Sequence, residues 1–239
     1  MSPQQIDDAL QRGYQSIRFG DFETAERLAK QLLQSHEDHA AVHVLIGSIR
    51  SAQDRPGDAE SAFKQALVLE RENVEALNNL GVLYRQRGDL KRATTALERA
   101  ARLRPERADI HYNMGNVHKV AGNDGAAREA YEKAIAADAE FVQAYNNLGT
   151  LYQRIGDHDA ARNTFLRGLK VDPNHPGLRY NLGFSYEMIG DLDHAAQEYT
   201  RASKSRPGWI AALRSLAGIH QKQQDYERAE QVYREILRL

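Results

Sequence analysis

The sequence predicts an all-α solenoid of paired antiparallel helices. Three observations carry that prediction. A glycine recurs every 34 residues, at Gly13, Gly47, Gly81, Gly115, Gly149 and Gly183, and the next step lands on Ala217. Twelve residues after each of these stands an alanine: Ala25, Ala59, Ala93, Ala127, Ala161, Ala195 and Ala229. Between the two columns a turn recurs as Gly20-Asp21, Gly88-Asp89, Gly156-Asp157 and Gly190-Asp191, with Gly122-Asn123 as a variant. A fixed period of this length marks a row of supersecondary units, each packing on its neighbours.

The unit is clearest from Val142 to His175. Ala144, Leu148, Leu151 and Tyr152 form an apolar stripe at helical spacing. Gly156 suits the left-handed residue that ends a helix, and Asp157 caps the next. Ala161, Phe165, Leu166 and Leu169 then share a face of a second helix, which Asp172-Pro173 stops. Arg104-Pro105 and Arg206-Pro207 stop their helices in the same way. A mid-helix glycine costs about 1 kcal/mol against alanine. Its recurrence implies a steric need, read here as close approach of another backbone, met from the second helix by the alanine column.

Leu148-Gly149 with Tyr152, then Ala161, Phe165 and Pro173, resembles the tetratricopeptide repeat. The resemblance covers essentially the whole chain. It implies an all-α, right-handed superhelical solenoid of seven helix pairs, with the first helices lining a concave surface. Residues 1–239 are expected to form a single solenoid, with repeats near 6–39, 40–73, 74–107, 108–141, 142–175, 176–209 and 210–239.

In chain order, Ser2-Pro3-Gln4-Gln5 is a helix start, with a cap, a tolerated proline and a capping-box glutamine. The first repeat departs most from the pattern, with Ala29 in the aromatic-or-leucine column and Glu37 where proline is usual. The second replaces the Gly-Asp turn with Asp54-Arg55-Pro56-Gly57-Asp58, Pro56 sitting early in its second helix. In repeats three to six the aromatic-or-leucine column reads Leu97, Tyr131, Phe165 and Tyr199, residues expected in the core. Trp209 is expected half-buried between repeats six and seven. The last helix carries Ala229, Val232, Tyr233, Ile236 and Leu237 with nothing downstream to cover them. The expectation is a chain cut from a longer protein, or an end that another molecule covers.

Composition narrows the function classes. Lys plus Arg number 32 against 33 Asp plus Glu, a balance that gives no basic footprint for nucleic acid. The chain has no cysteine, hence no disulfide framework and no thiolate metal site. No apolar run approaches membrane-spanning length, and the polar N-terminus lacks a signal-peptide core, so the expected address is cytoplasmic. His36, His39 and His43 straddle a repeat junction and need not share a face, so no metal site is assigned. His111 and His118 fall on core-type columns. No phosphate loop, dinucleotide fingerprint or nucleophile elbow occurs, so neither cofactor nor catalytic residues are expected.

The candidate site is an asparagine ladder. Asn79, Asn113, Asn147 and Asn181 stand two residues before the glycine in four consecutive repeats. A primary amide can pair with both the N–H and the C=O of a passing backbone. Similar ladders grip extended peptides in the repeat domain of the O-linked N-acetylglucosamine transferase. Flanking groove residues are Asn78, Tyr112, Asn146 and Tyr180 one position earlier, Asn116 and Phe184 three positions later, and Arg85, Lys119 and Arg154 about a turn further along. The carboxylate clamp of chaperone-binding family members needs lysine just before the ladder, where Asn78, Tyr112, Asn146 and Tyr180 stand here.

The expected function is a non-enzymatic protein–protein interaction scaffold that holds an extended peptide or partner segment in the concave groove. Two alternatives are a substrate-recruiting or regulatory module of a larger glycosyltransferase or sulfotransferase, and a structural scaffold that self-associates through its terminal repeats.

Overall fold

The computed structural model describes residues 2–36 and 38–239; the departure noted at Glu37 lies outside them. Fourteen α-helices and no strand occur among the described residues. The first helices of successive pairs are α1 (Pro3–Arg18), α3 (Ala40–Ala52), α5 (Val74–Gln86), α7 (Ala108–Val120), α9 (Val142–Arg154), α11 (Pro176–Met188) and α13 (Ile210–Lys222). The second helices are α2 (Phe22–Ser35), α4 (Pro56–Leu69), α6 (Leu90–Leu103), α8 (Asp124–Ala137), α10 (His158–Val171), α12 (Leu192–Ser205) and α14 (Tyr226–Ile236). Among these helices none is long and apolar enough to cross a membrane.

The chain divides into two compact units, one ending at Gly122 and one running from Asn123 to Leu239. In the first, α1, α3, α5 and α7 adjoin one another in sequence, and α2, α4 and α6 each pack between two of them. Its core joins Phe63, Leu77, Leu83, Leu97 and Ile110 across three repeats. In the second, α8 packs on α9, α10 on α9 and α11, and α12 on α11 and α13. One of its clusters gathers Tyr199, Leu213, Ile219 and Val232.

The alanine column is buried throughout, from Ala25 to Ala229. The glycine column has a different partner from the one the sequence suggests. A Cβ placed on Gly149 would lie 2.6 Å from Cζ of Phe165, and one on Gly81 would lie 2.7 Å from Cδ2 of Leu97. Phe63 meets Gly47 and Tyr199 meets Gly183 in the same way. The close neighbour is therefore the large side chain of the same pair's second helix, and neither a backbone nor the alanine. In the first repeat Ala29 is too small to reach, and Leu45 of the following pair approaches Gly13 instead. Leu166 also departs from expectation: it is 42% exposed while Phe165 beside it is fully buried.

The turn is kept even where glycine is not. Gly20, Gly88, Gly122, Gly156 and Gly190 all have positive φ, and so do Asp54 (57°) and Gln224 (61°) at the same phase. The aspartate that follows caps the next helix: Asp21, Asp89, Asp157 and Asp191 accept the backbone N–H of Thr24, Arg92, Ala160 and His194. Asn123 makes no such side-chain bond.

Candidate functional site

The ladder asparagines lie on first helices, each half-buried. Two of them are tied to the preceding repeat. Asn113 on α7 donates from Nδ2 to Oδ1 of Asn78 on α5, at 2.9 Å. Asn181 on α11 repeats this bond to Asn146 on α9, also at 2.9 Å. Each bond engages one N–H of the ladder amide.

In the first unit the direction of this chain is set by charge. Arg107, the residue before α7, donates to both carboxylate oxygens of Asp109 (3.0 and 2.8 Å) and to Glu75. Both acids push its guanidinium pKa further up, Asp109 first. Asn78 is buried and turns its Nδ2 to Asp109 at 3.1 Å, because a carboxylate can only accept. Its Oδ1 is thereby aimed at Asn113. In the second unit the position of Asp109 is taken by Gly177, where an added Cβ would lie 3.8 Å from Oδ1 of Asn146. The amide pair persists there without a carboxylate to orient it.

The flanking residues divide. Tyr112, Asn116 and Lys119 are half-buried, and Phe184 is 38% exposed. Arg85 is half-buried, with its Nε enclosed and without a hydrogen-bond partner. Tyr180 packs against Tyr199 (5.4 Å between centroids) and the half-buried Trp209 (4.9 Å). Arg154 is exposed and ion-paired with Asp124 at the start of α8. Gln153, beside it, does what the sequence did not suggest. Its Nε2 donates to the Asn181 carbonyl and to Oγ of Ser185, both at 2.8 Å, locking α9 to α11 at the ladder. Tyr14 holds the first-repeat place of the column of Asn116 and Phe184. Burial of its hydroxyl, then the charge of Glu75, push that phenol up to about 12, so it stays neutral.

His111 is buried, and its Nε2 meets the Pro105 carbonyl at 2.8 Å, so that nitrogen carries the proton. His36 ends α2 and His39 precedes α3. Among the described residues no group of three His, Cys, Asp or Glu side chains is placed to hold a metal.

Comparison with known proteins places this architecture. Tetratricopeptide repeat profiles match residues 106–174, 140–208 and 212–239, and a TPR repeat profile matches 83–122. The chain belongs to the tetratricopeptide repeat family. Cellulose synthase operon protein C of Xanthomonas axonopodis pv. citri (strain 306) is 33% identical over 85 residues, a stretch that is 36% of this chain and 6% of that relative. Among solved structures, Pseudomonas aeruginosa PilF superposes with a TM-score of 0.74, covering 93% of this chain and 97% of its own, at 19% identity. YrrB, described as a TPR protein with an unusual peptide-binding site, superposes with a TM-score of 0.60 over 78% of this chain and 96% of its own, at 21% identity.

Proposed function

We propose that this protein is a non-catalytic interaction scaffold, and that an extended segment of a partner protein lies along the ladder face of the first helices. The observation that carries the reading is the repeated amide. Asn79, Asn113, Asn147 and Asn181 occupy one phase of four successive first helices, and the inter-repeat bonds engage only one N–H of Asn113 and of Asn181. An amide held in orientation by its neighbour is preorganised to meet a peptide backbone. Adjacent helices lie about 8–10 Å apart, and an extended chain advances about 3.3 Å per residue. Within either unit one amide thus serves roughly every third peptide residue. Phe184 and Tyr112 supply adjoining apolar surface for side-chain selection. The peptide-binding site described for YrrB is a precedent within the same fold.

Asn79→Ala combined with Asn147→Ala is expected to weaken a partner peptide by roughly 2–3 kcal/mol, or ~30–150-fold. The measurement is titration of an identified partner peptide, with melting curves as the folding control. Unchanged affinity in the folded double variant would remove the ladder as the binding site. Asn113→Ala is a poorer probe, because it leaves the buried Oδ1 of Asn78 without its donor and costs stability as well.

A further inference from the structure

A second surface of this chain carries its own chemistry. Between α10 and α12, over the start of α11, lies a cleft of about 620 Å³. Arg167, Lys170, Arg179 and Arg201 line it, with Leu166, Leu169 and Leu182 at its walls and floor. A neighbouring hollow shares Arg179 and Arg201 and adds Lys204 and Asn174. Five cations thus converge, while Glu198 is the only acid lining either hollow.

Glu198 is buried and fully engaged, accepting from Nη1 of Arg179 (2.7 Å) and from Nη1 of Arg201 (2.5 Å). Arg167 lies over the ring of Tyr145 at 5.3 Å. Among the described residues Arg167, Lys170 and Lys204 enter no ion pair. The chain as a whole is nearly neutral, at −1, so this is a segregated charge.

Packing does not explain it. At the phase of Arg179 the two preceding repeats hold Tyr145 and His111. All three side chains have one bond in common, to the loop carbonyl six residues upstream: Tyr145 to Ala139, His111 to Pro105, Arg179 to Pro173. Tyr145 makes that bond through its hydroxyl, so the charge on Arg179 is additional to it. A cleft between α2 and α3 that shares part of this phase is mixed in sign, with Glu23 and Glu26 against Arg27, Lys30 and Arg50, and Glu26 paired to Arg50. A basic lining is therefore not imposed on every cleft of the chain.

We propose that the α10–α12 cleft is a second docking surface, separate from the ladder, for an acidic segment of a partner protein with an apolar side chain among its carboxylates. The cations meet the carboxylates and the 42% exposed Leu166 meets the apolar group. The probe is a fluorescein-labelled short peptide of glutamates around a central leucine, followed by anisotropy at low salt. Lys170→Glu with Lys204→Glu reverses the two exposed lysines that hold no partner, leaving the Arg179–Glu198 pair intact. This variant is expected to bind roughly 10-fold or more weakly, and added salt should weaken the wild type. Arg27→Glu in the other cleft should bind like wild type. Unchanged binding in the lysine double variant, no binding by the wild type, or tighter binding of a single-stranded oligonucleotide of equal charge would each overturn the proposal.

Discussion

The glycine column can be tested by adding one methyl group. In Gly149→Ala the new Cβ would stand 2.6 Å from Cζ and 2.7 Å from Cδ1 of Phe165, well inside ordinary carbon–carbon contact. Phe165 is fully buried, and a ring cannot yield as the end of a flexible chain does. Overpacking of this kind costs about 1–3 kcal/mol. Alanine returns about 1 kcal/mol through helix propensity. With a rigid neighbour the upper part of the range applies, and the net loss should be about 1–2 kcal/mol, a fall in Tm of roughly 2–8 °C. The control is Gly218→Ala on α13, where a Cβ meets nothing within 4 Å. There propensity acts alone, and a gain of up to about 1 kcal/mol is expected. Calorimetry or circular dichroism melts of both variants give the readout. Shifts of the same sign would refute the claim that contact with the second-helix side chain fixes the column, and Gly149→Leu should be worse than either.

Other perturbations separate the remaining interactions. Gln224→Gly should raise stability by about 0.5–1 kcal/mol, because it relieves a non-glycine residue at φ 61°; a lower Tm would show that the glutamine contributes more than its strain costs. Glu198→Ala should cost about 3–5 kcal/mol by leaving the largely buried Arg179 without its counter-charge, and a Tm within 2–3 °C of wild type would contradict that. Accepted backbone N–H groups hold the capping carboxylates of Asp21, Asp89 and Asp191 below the usual range. Their contribution is fully present above the unfolded-state value of about 3.9 and is lost as pH falls through the lower folded values. The urea midpoint should accordingly be steady from neutral pH down to about 4 and then decline; a midpoint that rose on acidification would reverse the sign of this argument.

The helical pairing was legible because its requirements are local and periodic. A left-handed turn and its cap lie in adjacent residues; the turn is kept even with Asp54 and Gln224 in the glycine's place, with Asp225 capping after Gln224 and Arg55 supplying no side-chain cap. The partner of the glycine column was not legible. Periodicity reveals that space is scarce at Gly81, but not that Leu97 takes it. The exposure of Leu166 was hidden for a similar reason, since helical spacing puts it beside Phe165 and cannot say where the neighbouring pair ends. On the ladder the amides were found by phase alone. The bonds that orient them, Asn113 to Asn78 and Asn78 to Asp109, run between different phases of neighbouring repeats, and no single column displays them.

These columns differ in how much chemical freedom they leave. Where the demand is steric, one small residue fits, and Ala25 through Ala229 hold a buried position seven times. At the phase of His111, Tyr145 and Arg179 a donor to the loop carbonyl is optional: these three supply it, and the buried Leu77 and Leu213 do without. Across three successive repeats this column changes from His111 to Tyr145 to Arg179 and keeps its hydrogen bond. The cost is local: a charged occupant needs a buried counter-ion, as Glu198 is for Arg179. The ladder follows the same logic, since Asn181 keeps its bond to Asn146 although Gly177 stands where Asp109 orients the earlier pair. Recognition in a repeat chain can therefore be written at such permissive positions, while the glycine and alanine columns hold the frame on which it is displayed.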